Sequence, residues 1–199
     1  MLFLLDDEKN AINAEDFSRA AARYHVFVDY EMVLRTSANS LANLYLDGRG
    51  VNQDTDQAIK LFIMAAKDSI GHEGYGHAAT TLGWIYLTGD YPDAEADYIK
   101  ALRWNLVGSQ LKHTNASANL ALIYAGGFGV EKNLNKTIDY FVESIDTYSP
   151  EYNPQGEDDD WKKYLTDPDP EFLEVRKLYI QAIETGDIKF KEQLLKLKS

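Results

Sequence analysis

The chain contains no cysteine. It therefore has no disulfide framework, no thiolate ligand for zinc and no thiol nucleophile. No apolar run approaches the roughly 18 residues that a membrane-spanning helix needs. The opening apolar stretch, residues 1–5, is too short for a secretory signal and lacks its basic flank. We expect a cytoplasmic protein without membrane insertion, although a periplasmic or secreted protein whose leader had been removed would look the same.

Basic residues are scarce relative to acidic ones. The 199 residues include 20 Lys and Arg against 32 Asp and Glu, which gives a formal net charge of −12. The phosphates of nucleic acid would repel such a chain, so a nucleic-acid partner is disfavoured. The acidity suits a basic protein partner, and it equally suits the ordinary solubility of an acidic protein.

The sequence does contain a spacing of small, apolar and glycine residues that occurs three times. In each copy an alanine or serine is followed after three residues by leucine, after seven by tyrosine and after ten by glycine; the tyrosines are Tyr45, Tyr86 and Tyr124. These positions share one face of a helix, so the large side chains are predicted to enter a core. The glycines suit a tight turn into a second, antiparallel helix.

A second helical pattern follows each tyrosine. It begins at Asp54, Asp97 and Asn133 in the three copies. A short polar side chain at this position can accept hydrogen bonds from the unpaired amides of the first helical turn, which typically stabilises a helix by ~1 kcal/mol relative to alanine. Each copy is therefore predicted to be a pair of antiparallel helices.

This pattern resembles the Sel-one-like repeat, a longer relative of the tetratricopeptide repeat. The first copy matches nearly throughout, whereas in the second copy residues 90–93, Asp-Tyr-Pro-Asp, replace the Gly-x-Gly-Val turn. We predict that this turn is reshaped and protruding. The resemblance implies an all-α, right-handed α/α solenoid of antiparallel helix pairs, with about three repeats plus capping helices. It also implies that the first helices line the concave surface.

Proline marks the end of the repeats. Four of the five prolines lie between residues 150 and 170, together with an acidic run, and proline interrupts helices because it lacks an N–H group. We therefore divide the chain into an N-terminal helical cap or degenerate repeat, three repeats, an acidic proline-rich loop and C-terminal capping helices, at residues 1–37, 38–146, 147–170 and 171–199.

Candidate chemical sites are weak. His72, Glu73 and His77 lie close in sequence, but their spacing matches no standard helical metal motif. The acidic run 158–160 lacks the alternating ligands and central glycine of an EF-hand loop. We recognise no nucleophile elbow or family signature of catalysis. We predict no metal, no cofactor and no catalytic residue.

The residues that the repeat pattern leaves over lie on the first helix of each copy, opposite the core face. They grade from amide-bearing to apolar, with Trp84 in the middle. A central tryptophan in a groove has the character of an interface hot spot, while packing of Trp84 against a neighbouring helix is the competing interpretation. We predict a partner-binding strip of seven residues: Asn39, Asn43, Leu46, Thr80, Trp84, Leu87 and Leu122.

The resemblance implies a non-catalytic adaptor that binds a protein or peptide in its concave groove. The acidity favours a basic partner, and a bacterial immunity or effector-type binding protein is one form that such an adaptor could take. Two other classes stay open: a hydrolase or cell-wall-modifying enzyme with a histidine and a carboxylate in the groove, and a structural subunit of a homo-oligomer. The sequence does not decide the oligomeric state.

Overall fold

The computed structural model of the protein describes residues 17–28, 34–67, 73–148 and 170–198. Over these ranges the regular secondary structure is entirely helical, and the predicted all-α solenoid is confirmed. In chain order the helices are α1 Phe17–Val28, α2 Leu34–Asp47, α3 Thr55–Lys67, α4 Glu73–Thr88, α5 Tyr98–Gln110, α6 Thr114–Gly126, α7 Leu134–Thr147, α8 Pro170–Thr185 and α9 Ile188–Lys196.

The repeats form three packed helix pairs, α2 with α3, α4 with α5, and α6 with α7. We refer to α2, α4 and α6 as the first helices and to α3, α5 and α7 as the second helices. Successive first helices touch each other, whereas successive second helices make at most marginal contacts. The first helices therefore lie on the inner side of the curved stack, and the second helices on its outer side.

The second helices begin where the caps were predicted. The side chain of Asp54 accepts a hydrogen bond from the backbone N–H of Gln57 at 2.8 Å. Asp97 and Asn133 accept equivalent bonds at 3.0 and 2.9 Å. The backbone N–H of each cap residue also donates to the carbonyl of the repeat tyrosine, at 2.8 to 3.0 Å. Each turn is thus tied to the end of its own first helix.

Two of the turn glycines allow the preceding helix to come close. Gly50 has a φ of +73°, and a Cβ atom there would clash with the backbone of Phe17 and Ser18. Gly129 has a φ of +69°, and a Cβ atom there would lie 2.8 Å from the Cβ atom of Tyr98. Because α1 meets Gly50 as α5 meets Gly129, we propose that α1 is the second helix of a degenerate preceding repeat.

The turn of the second repeat is reshaped but does not simply protrude. Asp93 adopts a φ of +60°, and Asp90 and Pro92 are exposed. The side chains of Tyr91 and Ala94, however, fold back and pack against the core of the first repeat. The predicted protrusion was therefore wrong for these two apolar residues, because each removes part of its surface from water by returning to the core.

A buried amide joins the second repeat to the third. Asn105 on α5 is 0% exposed; its Nδ2 donates to the carbonyl of Ala101 at 2.9 Å, and its Oδ1 accepts from Nδ2 of Asn119 on α6 at 2.9 Å. Gly83 on α4 faces this amide, and a Cβ atom at Gly83 would overlap it. The missing side chain at Gly83 therefore makes room for a polar bridge between the two repeats.

The C-terminal helices α8 and α9 pack against each other and against α7. The Tyr179 ring stacks on the Phe141 ring with centroids 4.0 Å apart, and the Tyr179 hydroxyl lies 3.1 Å from the hydroxyl of Ser144. Burial raises the pKa of Tyr179 to about 12. We propose that α8 and α9 cap the end of the solenoid.

Candidate functional site

The candidate site is the groove, by which we mean the inner face formed by α2, α4 and α6. Residues four positions apart lie above one another on a helix. Two rows of side chains consequently run along neighbouring first helices: Asn39, Asn43 and Asp47 on α2, and Thr80, Trp84 and Thr88 on α4. The first helices run side by side in the same direction, so both rows start at the same end of the inner face.

The structure places the seven residues of the predicted strip in two groups. Leu46, Thr80, Leu87 and Leu122 are at most 5% exposed. The three leucines pack into the buried clusters between helices. A leucine in this position removes more apolar surface from water than a leucine on the open face of the groove would. Asn39, Asn43 and Trp84 keep part of their surface exposed. The strip that a partner can reach without rearrangement therefore consists of these three residues.

The α2 row presents hydrogen-bond acceptors. Nδ2 of Asn43 donates to the backbone carbonyl of Asn39 at 2.9 Å, which fixes the Asn43 amide with its nitrogen toward its own helix. Oδ1 of Asn39 is buried and has no hydrogen-bond partner in the protein. An unsatisfied buried acceptor costs roughly 1–3 kcal/mol, so this oxygen lowers the stability of the fold.

Trp84 occupies the middle of the α4 row. Its ring packs against the buried cluster shared by the second repeat, the third repeat and the C-terminal helices, and it is only partly buried. Its backbone carbonyl accepts a hydrogen bond from Thr88 Oγ1 at 3.1 Å. The indole is thus held by the fold on one side and faces outward on the other, which is the arrangement of an anchor that needs little ordering on binding.

Two histidines meet at the start of α4 and α6. The rings of His77 and His113 lie 5.9 Å apart between centroids. Thr80 Oγ1 lies 2.6 Å from the carbonyl of Gly76, to which it donates, and 3.1 Å from Nδ1 of His113. Since the hydroxyl proton is used on Gly76, Nδ1 of His113 carries the proton and donates to Thr80.

Both imidazoles are held neutral. Burial lowers the pKa of His77. Burial, and then the positive charge that His77 carries when protonated, lower the pKa of His113 to about 4. Within residues 17–28, 34–67, 73–148 and 170–198, no three His, Asp or Glu side chains are grouped so that they could hold a metal. His72 of the sequence cluster lies outside the described residues. Sequence spacing did not reveal the His77–His113 contact because 36 positions separate them in the chain.

An acidic edge, formed by Asp47 and Asp90, lies at the C-terminal ends of α2 and α4. Asp47 is the last residue of α2, and Asp90 follows α4 by two positions. Burial, and then the charges of Asp47 and Asp90, raise the pKa of Tyr91, so both carboxylates lie near this hydroxyl. Arg49 already pairs with Asp47. The sequence pattern missed this edge because it forms only when the reshaped turn folds back onto α2.

Comparison with known proteins identifies the repeat. A family model described as Sel1 repeat matches residues 36–69, 76–104 and 114–146. The chain belongs to the Sel1-repeat proteins. Repeats of this family generally mediate protein–protein interaction and serve as non-catalytic scaffolds. No curated protein matches the chain in sequence.

Two solved structures share the fold. A Sel1 repeat protein from Oxalobacter formigenes has a TM-score of 0.60 at 20% sequence identity, and the match covers 90% of this chain and 62% of that one. The protein c5321, a protective antigen of uropathogenic Escherichia coli strains with an SLR fold, has a TM-score of 0.56 at 20% identity and coverages of 90% and 32%. This chain therefore spans less than two thirds of either neighbour. Among the helices described, none is long and apolar enough to cross a membrane.

Proposed function

We propose that this Sel1-repeat protein is a non-catalytic adaptor that holds a segment of a protein or peptide partner in its groove. The observation that carries the proposal is Trp84, a tryptophan held by the fold on one side and exposed on the other, in the middle of the inner face. Sel1 repeats generally bind proteins, and an anchored aromatic side chain is the residue type that most often dominates a protein interface.

The roles of the other repeat residues support binding rather than chemistry. The repeat tyrosines accept backbone hydrogen bonds from the caps, and Gly50 and Gly129 make room for neighbouring helices. His77 and His113 contact each other, and His113 also contacts Thr80.

The partner is expected to carry net positive charge, because a chain of charge −12 attracts basic molecules at long range. An immunity or effector-type role would be one biological setting for such an adaptor. The identity of the partner that the protein retains will show which biological role applies, because the groove recognises only the shape and charge of the bound segment.

The test is retention of a native partner by the intact protein. Affinity-tagged wild type and Trp84→Ala are compared in parallel purifications from the source cells, followed by mass spectrometry. Trp104→Phe is the control, because Trp104 lies on a second helix and packs against the core of the first repeat. We expect wild type and Trp104→Phe to retain the same stoichiometric protein, and Trp84→Ala to lose it.

Thermal unfolding separates a binding defect from a folding defect. Loss of the partner by Trp84→Ala with a nearly unchanged unfolding midpoint supports the proposal. Equal retention by Trp84→Ala, or retention lost only together with the fold, contradicts it and leaves packing as the role of Trp84.

A further inference from the structure

We infer that the contact of α4 and α5 with the start of α6 is an acid-sensitive joint, at which protonation of two histidines loosens the third repeat from the second before either repeat unfolds. The joint consists of the buried and partly buried polar side chains between these helices: Thr80, Asn105, Ser109, His113, Ser117 and Asn119. Such a switch goes beyond the proposed function and does not depend on it, because it concerns the fold alone.

Buried hydrogen bonds hold the joint together. The contact of α5 with α6 combines an apolar cluster with two bonds between side chains. Asn119 Nδ2 donates to Asn105 Oδ1 at 2.9 Å, and Ser117 Oγ donates to Ser109 Oγ at 3.2 Å. By contrast, α2, α3 and α4 share one buried apolar cluster. A polar contact is stable only while each donor and acceptor keeps its match, so it is sensitive to any change of protonation.

His113, the residue before α6, ties the start of that helix to α4 and α5. Its Nδ1 lies 3.1 Å from Thr80 Oγ1 on α4. Its backbone N–H donates to the carbonyl of Gly108 on α5 at 3.0 Å. A Cβ atom at Gly76 of α4 would lie 3.2 Å from the Cβ atom of His113. The imidazole is therefore packed closely against α4, with little space in which to turn away.

A second proton on this imidazole would enter a buried position. Because Nδ1 of His113 is bonded to Thr80, the second proton binds at Nε2, and Nε2 is buried. The ring of His77 lies 5.9 Å away between centroids. A positive charge removed from water is unfavourable, and two such charges side by side repel each other. Acid therefore places unfavourable charge inside the joint.

The other ionisable groups around the joint come from three helices. α4 brings His77, Lys112 follows the end of α5, and α7 brings Glu143. Glu143 is already paired, since its Oε1 accepts from Lys112 Nζ at 3.2 Å, and Lys112 adds positive charge of its own. His72 and the side chain of Glu73 lie outside the described residues. Burial accordingly lowers the pKa of both imidazoles in the joint.

Opening of the joint would alter the inner face. Trp84 lies one turn after Thr80 on α4, and its ring packs against the apolar cluster to which α6 contributes. Separation of α6 from α4 removes part of this support for the indole. Acid would thus change the inner face of the stack while the helices themselves remain folded.

Hydrogen exchange of the full chain, read by mass spectrometry at pH 7.5 and pH 4.5, tests the switch after correction for the chemical exchange rate at each pH. A histidine with a pKa of about 4 in the closed joint and 6.5 in the open joint raises the open population roughly 70-fold between these pH values. We expect the amides of residues 105–120 to lose protection by about that factor, and those of α3 to change by less than about five-fold.

Two histidine variants serve as the matched pair. His113→Asn removes the titrating group and supplies a residue type that starts helices well, so the fold should be kept and the loss of protection at residues 105–120 should shrink to less than about five-fold. His25 is an exposed histidine on α1 whose Nε2 lies 2.9 Å from the hydroxyl of Tyr45. His25→Asn should therefore keep the full loss.

Three results would overturn the inference. Equal loss of protection in α3 and in residues 105–120 would show that acid unfolds the whole chain. No loss at residues 105–120 in wild type would show that the joint stays closed. An unchanged loss in His113→Asn would show that another group titrates. None of these results bears on retention of the native partner through Trp84.

Discussion

The contact between Gly83 and the buried Asn105 amide predicts a substitution whose effect changes sign with its neighbour. In wild type, Gly83→Ala places a methyl group on an amide that two hydrogen bonds hold in place. Overpacking of this kind costs typically 1–3 kcal/mol, and the gain in helix propensity from glycine to alanine offsets about 1 kcal/mol of it. We expect Gly83→Ala to be destabilising by up to about 2 kcal/mol.

The partner substitution has its own cost. Asn105→Ala leaves Asn119, which is 6% exposed, without the acceptor for its Nδ2 group. One buried unsatisfied donor costs about 1–3 kcal/mol, and the small cavity adds somewhat less than 1 kcal/mol. We expect a loss of about 2 to 4 kcal/mol, or a fall in melting temperature of roughly 5–15 °C for a chain of this length.

The double variant then decides the argument. With Asn105 reduced to alanine, the added methyl group of Gly83→Ala meets space instead of an amide, so only the propensity gain of about 1 kcal/mol remains. Urea unfolding followed by circular dichroism measures all four proteins. Gly83→Ala should destabilise wild type and stabilise Asn105→Ala. The same sign in both backgrounds would refute the account of how the second repeat joins the third.

Three further predictions use the same unfolding assay. The pKa of His113 is about 4 in the folded state against 6.5 in the unfolded state, so the unfolded state binds the proton first as the pH falls. The free energy of unfolding should therefore fall by about 3 kcal/mol between pH 6.5 and pH 4. His113→Asn should flatten this pH dependence, and an unchanged slope of unfolding free energy against pH would contradict the prediction. Gly50→Ala should cost at least about 2 kcal/mol because it combines a left-handed φ with a backbone clash, whereas Gly186→Ala, with open space around it, should cost about 1; equal costs would contradict the helix contact. Tyr179→Phe should lose about 0.5–1.5 kcal/mol with its bond to Ser144, and Ser144→Ala should add little to that loss.

Much of the fold could be predicted from the sequence because the repeat encodes it locally. The tyrosine spacing, the positive-φ glycines and the caps Asp54, Asp97 and Asn133 each act within a few residues of their own position, and repetition makes them visible. The predicted Sel-one-like resemblance is confirmed by the family match. The resemblance, rather than helix periodicity, implied that the first helices line the inner face.

The exposed surface of the groove could not be predicted in the same way. Helix periodicity gives the direction in which Leu46, Leu87 and Leu122 point, but whether neighbouring helices cover them depends on the tilt between repeats, which no local pattern records. Tyr91 is a second example, because its return to the first repeat depends on the backbone of an irregular turn. The predicted binding strip stays a prediction, now centred on Asn39, Asn43 and Trp84.

The most direct test of the central claim is the affinity of the native partner, once purified, for wild type and for Trp84→Ala, measured by titration calorimetry. A hot-spot tryptophan contributes about 2 kcal/mol or more, so the account predicts at least a roughly 30-fold weaker complex with the unfolding midpoint nearly unchanged. Equal affinity of the two proteins would show that the partner binds elsewhere and that the groove is not the binding site.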